Sequence, residues 1–498
     1  MLSVEYCIKT GSFAFAQDDT LDSTKLIFCY NEGKMEAFWK KYHIWILLIL
    51  AFLIRLIHLD QSLWLDEATT AVTVQKYSFW QIITQFSPAD FHPPLYYLFM
   101  DIWTSLTGYS EVMLRLPSVI FSVAAGYFVY KAARRLFPPT EHGMGAGILS
   151  AVFFLFNPLI IYYAQEARMY AFVTFLVAAN FYYLLTLMSR KVKHSRLFFH
   201  LTLAAMFLTF YASIFYIGVV ILYLLYHRKY PLLVSTVTTV LASITIVFPL
   251  LYTQYTGSKT ALEAVKNWSL VLGTVSLKNI ILIPIKFTSG RISFEPKVVY
   301  YLLAAVWMAL LAYLPVEAFR KKKDTERPKA LLLGYFFLTP LVLGTVFSFI
   351  SPLLQYFRFQ FLLVFFSILI GVSASRLKSD IYKYAIVAGF VAWSLLYLLV
   401  PQFHREDWKL LAQSLKKERE PIYMIESSSD PIRYYSPSVR TKPLRDIVYG
   451  EYQGEDIVVI PYTADIHGIN YSIILQGNNL CREIIPFRGL TYEKWKQC

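Results

Sequence analysis

Residues 45–67 read Trp-Ile-Leu-Leu-Ile-Leu-Ala-Phe-Leu-Ile-Arg-Leu-Ile-His-Leu-Asp-Gln-Ser-Leu-Trp-Leu-Asp-Glu. As a helix the apolar part belongs to a span expected at 43–59, at about 25 Å the short end of what crosses a hydrocarbon core of about 30 Å, and the polar residues that stop it lead into an adjacent carboxylate pair, Asp66-Glu67. Apolar runs of the same kind recur from Trp45 almost to Val400. Over 498 residues the chain is 56% hydrophobic and 16% charged, with a mean hydropathy of +0.46. It is far more apolar than a soluble domain of that length, and the bilayer is its expected solvent.

The formal charge of +14 would suit nucleic acid if the cations formed one patch, but they do not. They sit in short loops between apolar runs: Lys40-Lys41, Lys131 with Arg134 and Arg135, Arg190 to Arg196, His227 to Lys229, Arg320 to Lys329, and Arg376 to Lys383. This is the cytoplasmic-loop pattern of the positive-inside rule, so membrane lipids are expected as partners and nucleic acid is not. Alternating from these loops predicts spans at 43–59, 112–131, 143–163, 169–189, 196–212, 213–227, 231–252, 298–319, 329–350, 357–375 and 381–400, about eleven in all. The division at 212/213 leaves two short halves that a single broken pair would also fit. An odd count with an inside amino end sends everything after Val400 outside.

Three domains follow. Residues 1–34, with acids interrupting any apolar core, show no cleavable signal pattern; they read as a poorly structured extension before a natural start at Met35. Residues 35–400 form the membrane domain, with an outer loop at 60–110. In that loop Ala68–Phe86 and Pro94–Leu106 are expected as helices lying at the membrane interface. A second outer segment, 253–297, holds Asn267-Trp268-Ser269 and a Pro/Gly-punctuated stretch around Lys286. Residues 401–498 read as a small outer α/β domain: a helix at 405–417, strands at 421–425 and 456–460, and a closing helix at 492–496. It has no glycine-rich nucleotide motif. Cys481 and Cys498 lie there, where a disulfide or two free thiols are equally allowed, and no cysteine or histidine spacing suits a metal.

The chemistry-bearing residues fall at the outer ends of spans. Asp66-Glu67 at a membrane boundary suits a general base or a cation ligand, because desolvation and mutual repulsion raise the proton affinity of one member; the same pair would also serve as acids stabilising a helix start. His92-Pro93-Pro94-Leu95-Tyr96-Tyr97 fixes the start of a helix and holds His92 at phosphate level, or is simply that helix start with an interfacial tyrosine pair. Gln165-Glu166-Ala167-Arg168-Met169-Tyr170 and Gln355-Tyr356-Phe357-Arg358 each carry an arginine that either snorkels or meets an anion. Two arginines, Lys286 and the acid pair on one face favour a phosphate-plus-hydroxyl site.

Trp64-Leu65-Asp66-Glu67, His92 to Tyr97, Leu114-Arg115-Leu116-Pro117-Ser118 and Gln165 to Tyr170, in that order, resemble the glycosyltransferases of the family-39 type, which include protein mannosyltransferases, aminoarabinose transferases and Rgt-type galacturonosyltransferases. The resemblance covers roughly residues 43–230, with weaker echoes at Arg358-Phe359 and Arg405-Glu406-Asp407-Trp408. It implies an all-α polytopic membrane protein of the glycosyltransferase-C type, with juxtamembrane helices over an outer cavity, in the plasma membrane. The implied reaction moves a sugar, with inversion, from a polyprenyl phosphate to a lipid, glycan or protein acceptor. Asp66 takes the catalytic position with Glu67 beside it, and His92, Tyr96, Glu166, Arg168, Tyr170, Lys286 and Arg358 fall to donor phosphate or substrate. No cofactor is implied and no metal ligands are assigned, a divalent cation being left open. Where relatives carry Thr-His-Tyr this chain reads Tyr211-Ala212-Ser213, and Arg-Tyr becomes Arg358-Phe359, which leaves sugar and acceptor open. The reading from another class, a transporter or flippase of a lipid-linked sugar, would place polar residues at the midplane of paired repeats.

Overall fold

A computed structural model describes residues 42–138, 145–189, 193–320, 326–450 and 454–498. The extension before Met35, Lys40-Lys41, Arg190 and the stretch 321–325 of the basic loops lie outside the described residues. The chain divides into Met1–Ala51 and Phe52–Cys498, so the tail shares one compact unit with the membrane helices that follow Ala51.

Among the described residues, eight helices are long and apolar enough to cross a membrane: Glu111–Leu136, Tyr170–Ser189, Tyr230–Ala264, Trp268–Ser289, Lys297–Arg320, Arg327–Phe347, Tyr356–Ser375 and Asp380–Leu399. A pair bent by 58°, Ala146–Leu155 with Pro158–Ala164, adds a broken span, and Tyr42–Arg55, Ser195–Thr209 and Tyr211–Tyr226 are shorter apolar helices. The chain is a multi-pass membrane protein. The bend has a local cause, since Asn157 caps the second half by accepting from the amides of Leu159 (2.9 Å) and Ile160 (3.3 Å). The division near 212 falls at Phe210, which ends the 15-residue helix Ser195–Thr209, and a 3-10 turn, Tyr211–Ser213, leads into the 13-residue helix Ile214–Tyr226.

Contacts sort the helix ends onto two faces. On one, Lys329 and Arg376 lie over the Phe137 ring at 5.6 and 6.0 Å, Arg376 pairs with Glu326, and Arg135 donates to Ser189. On the other, the tail's Lys409 meets Glu111 at 2.8 Å. The Trp268–Ser289 segment begins and ends on the tail face. Asn267 at its start donates to the Asp465 and Ile466 carbonyls, and Arg291 at its end donates to Tyr162 at 2.9 Å. Both of its ends therefore lie on the tail face, and it is broken at Gly273, whose φ of +98° ends the helix Trp268–Leu272. The helix Tyr230–Ala264, at 35 residues, outruns the hydrocarbon core and carries its last turns beyond the expected limit at 252.

The juxtamembrane loop holds helices Leu65–Lys76 and Leu95–Thr107, joined by a π-helical turn, Ile82–Phe86. Gln254 pins it to the long helix by donating to the carbonyls of Ser87 (2.8 Å) and His92 (2.9 Å). In the tail, β1 (Ile422–Met424), β2 (Thr441–Pro443), β3 (Ile457–Ile460), β4 (Leu480–Phe487) and β5 (Leu490–Gln497) form one sheet in the order β2-β1-β3-β5-β4. Ile422, Met424, Val458 and Ile460 enter the core on one face, while Tyr423, Ile425, Ile457 and Val459 enter the core on the other. That two-sided burial makes these strands continuous apolar runs. The expected closing helix at 492–496 is part of β5: Tyr492 and Trp495 serve opposite cores, an alternation that suits a strand paired to β3 and β4. Cys481 and Cys498 are joined in a disulfide.

Candidate active site

The motif strings converge where the helix Leu65–Lys76 meets the turn after Ala164. Glu67, 0% exposed, is gripped by Arg115 through two bonds, Nε to Oε1 at 2.8 Å and Nη2 to Oε2 at 2.6 Å. The Ala167 amide donates to Oε1 at 2.8 Å, and Arg405 stands 3.3 Å from Oε2. Arg115 spends its remaining donors on the carbonyls of Leu59, Gln61 and Ser62, fixing the chain's exit from the first apolar run. Arg405 comes from the tail and donates to Glu166 Oε2 (2.8 Å), Tyr162 Oη (3.0 Å) and the carbonyls of Tyr162 and Gln165 (both 3.1 Å). Two carboxylates and two guanidiniums are thus buried together and balance in charge, as buried ions must. Burial opposes ionisation at both acids, but Arg115 and Arg405 hold Glu67 below the usual range. At Glu166 burial outweighs Arg405, and the carboxyl is pushed up to about 7.

Asp66 differs from its neighbour. Successive helical residues point about 100° apart, and its carboxylate stays 38% exposed. Arg168, 4% exposed, lies across from it with Nη2 3.9 Å from Oδ2. Its Nη1 donates to Tyr97 Oη at 2.8 Å, while its buried Nε has no hydrogen-bond partner among the described residues. Asp90 and His92 complete this edge, with Nδ1 3.3 Å from either carboxylate oxygen. Burial would raise Asp90, yet His92 and then Arg168 hold it down to about 2.

The other expected residues fall at different distances from this point. Tyr96 is buried with its ring 6.0 Å from that of Tyr97, and Tyr170 lies in the fields of Arg168, Glu166 and Asp66. Lys286 is committed elsewhere, donating to the Ile292 carbonyl and Tyr300 Oη at 3.0 Å each. Arg358 donates to the Leu272 carbonyl at 2.9 Å, capping the helix that ends there. Arg115, Arg405, Arg291 and Asp90 carry as much of the arrangement and were not singled out as site residues. A guanidinium inside an apolar span is itself the signal for Arg115. Among the described residues no cluster of three His, Cys, Asp or Glu side chains could hold a metal.

A polar cleft of about 210 Å³ is walled by Trp64, two residues before Asp66, with Tyr162, Arg291, Ser293 and residues Gln402 to Glu406. Tyr462 donates to Glu406 Oε1 at 3.2 Å and lies in the field of Asp66, which ties this cleft to the acid.

Residues 91–253 match the family model for dolichyl-phosphate-mannose-protein mannosyltransferase. Among solved structures, ArnT from Cupriavidus metallidurans bound to undecaprenyl phosphate aligns over 91% of this chain and 98% of its own, at 12% identity and a TM-score of 0.55. The same enzyme in the apo state gives 0.56 at 12% identity, over 90% and 97%. The arabinofuranosyltransferase AftD from Mycobacteria gives 0.54 at 12% identity, over 92% of this chain and 40% of its own. No curated protein sequence matches. The two-faced helix bundle, its juxtamembrane helices and its small tail share the glycosyltransferase-C fold of these enzymes, and residues 91–253 within it carry the matched family segment.

Proposed function

We propose that the chain transfers a sugar from a polyprenyl phosphate to a hydroxyl of a lipid, glycan or protein acceptor, on the extracytoplasmic side of the plasma membrane, with Asp66 as general base. The observation that carries this reading is the contrast at the acid pair: Glu67 is enclosed by Arg115 and Arg405, whereas Asp66 keeps a part-exposed carboxylate across from Arg168. The acceptor oxygen attacks the anomeric carbon and Asp66 takes its proton. The bond from that carbon to the phosphate oxygen breaks, and the polyprenyl phosphate departs with the electron pair. A single displacement inverts the centre. The carrier is already a good leaving group, so a base and a cation suffice. Arg168, with its free Nε, and His92 are the residues offered for the phosphate, and the cleft for the sugar. Glu67 and Glu166 position rather than touch. The disulfide in the tail fits an oxidising compartment, and the opposite face carries the cations expected inside. Polar groups converge at one face rather than at a midplane, so the transporter alternative finds no support.

The test is to incubate the purified protein with undecaprenyl-phosphate-linked hexoses, pentoses and aminopentoses and follow release of undecaprenyl phosphate. The expected result is release from at least one donor, lost by about 10²–10⁴-fold in a well-folded Asp66→Asn variant. Near-normal turnover of that variant would reduce Asp66 to a helix-start acid.

A further inference from the structure

We propose that Arg405, contributed by the tail, is a positioning residue for the transfer reaction: it locks the helix that carries Asp66 to the turn that carries Arg168. The inference rests on the reading of Asp66 as the base and Arg168 as its cationic partner. Arg405 touches the immediate neighbour of one and the second neighbour of the other, with Nε 3.3 Å from Glu67 Oε2 and Nη1 2.8 Å from Glu166 Oε2. Its guanidinium lies over the Tyr162 ring at 4.3 Å, and its Nη2 holds the Tyr162 and Gln165 carbonyls, so the whole turn from 162 to 166 is set by one side chain. Asp66 and Arg168 stand 3.9 Å apart, a separation set by where these two backbones sit.

The lock is anchored in the folded tail. The Arg405 amide donates to Gln61 Oε1 at 3.2 Å, and Arg488, in the turn between β4 and β5, donates to the Arg405 carbonyl at 2.8 Å. Nearby, Tyr435 accepts from the Leu63 amide at 2.8 Å, and the Lys409 amide donates to Ser62 Oγ at 3.1 Å. The sheet domain thus grips the strand of chain that leads into Asp66 and inserts one arginine behind it. Arg115 already satisfies Glu67 in two bonds, so loss of Arg405 strands Glu166 without its counter-charge and frees the turn that bears Arg168. Catalytic geometry tolerates little of that: a displacement of about 1 Å can cost on the order of 10²-fold in rate.

The experiment uses the full-length protein and the undecaprenyl-phosphate sugar released fastest in the donor panel. Arg405→Lys keeps the charge without the planar fork and should lower kcat by about 10- to 100-fold with the donor KM within about threefold. The charge-balanced double variant Arg405→Gln with Glu166→Gln removes both buried charges. It should regain the thermal stability lost in Arg405→Gln alone and remain slow. A stable double variant with normal kcat would make Arg405 a stability device only and overturn the proposal. A rise in donor KM at unchanged kcat would make it a substrate ligand and overturn it equally. Asp66→Asn, measured alongside, separates the failures. An inactive Asp66→Asn with normal Arg405 variants sinks this inference alone, and an active Asp66→Asn sinks both.

Discussion

At the scale of single residues, the acid pair shows how far a sequence separates roles. Asp66 and Glu67 are adjacent carboxylates at a membrane boundary, and adjacency alone makes them equivalent. The helix turns them to different surroundings, one onto Arg115 and Arg405 and the other toward Arg168. Their substitutions should therefore part company. Glu67→Gln leaves Arg115 buried without its charge partner and should destabilise the fold by roughly 3–5 kcal/mol, whereas Asp66→Asn should leave thermal unfolding in detergent unchanged. Equal unfolding temperatures for the two variants would contradict the division. Arg168→Ala should raise the donor KM by roughly 10- to 150-fold, the worth of a charge-assisted contact of about 1.5–3 kcal/mol. Lysine there should restore only part, because it lacks the fork. Normal donor kinetics in the alanine variant would leave Arg168 with Tyr97 as its only business.

At the scale of elements, close approach decides which helices meet. Ala146–Leu155 crosses Leu363–Ser375 at Gly371, where a Cβ would collide with the Ser150 backbone. Gly371→Val should cost about 1–3 kcal/mol through overpacking and lower the unfolding temperature. Gly218, where a Cβ would meet nothing within 4 Å among the described residues, supplies the control, since Gly218→Ala should be neutral or slightly stabilising. Spans were readable because length and apolarity are local properties. The β5 strand was misread as a helix because its partners β3 and β4 lie far along the chain, and a short mixed stretch ending in lysines carries little period of its own. The segment Trp268–Ser289 shows the converse: it is as long and apolar as a span, and only the contacts of Asn267 and Arg291 bring both ends to one face.

At the scale of the whole molecule, the two faces make a prediction that sequence and structure share. With Cys7 and Cys29 replaced by serine, a cysteine at exposed Ile473 in the tail should react with a membrane-impermeant maleimide in intact cells. One at exposed Lys378, on the basic face, should react only after lysis. The reverse pattern would put the acid pair, the cleft and the tail on the cytoplasmic side and remove the proposed donor geometry with them.

Composition, span length and the placement of cations were enough, from sequence, to give a polytopic membrane protein with two unlike faces, because hydrophobic thickness and charge asymmetry act on each segment independently. Four short strings in order were enough to point to the family whose model residues 91–253 match. Tertiary structure alone decided which of two neighbouring acids remains open. It also decided that Lys286 and Arg358 are spent on Tyr300 and on a helix end, and that an arginine more than 230 residues away in the chain closes the cluster. Those outcomes depend on where desolvated charges find partners, and a buried charge is satisfied by whatever the fold brings within about 3 Å rather than by anything near it in sequence.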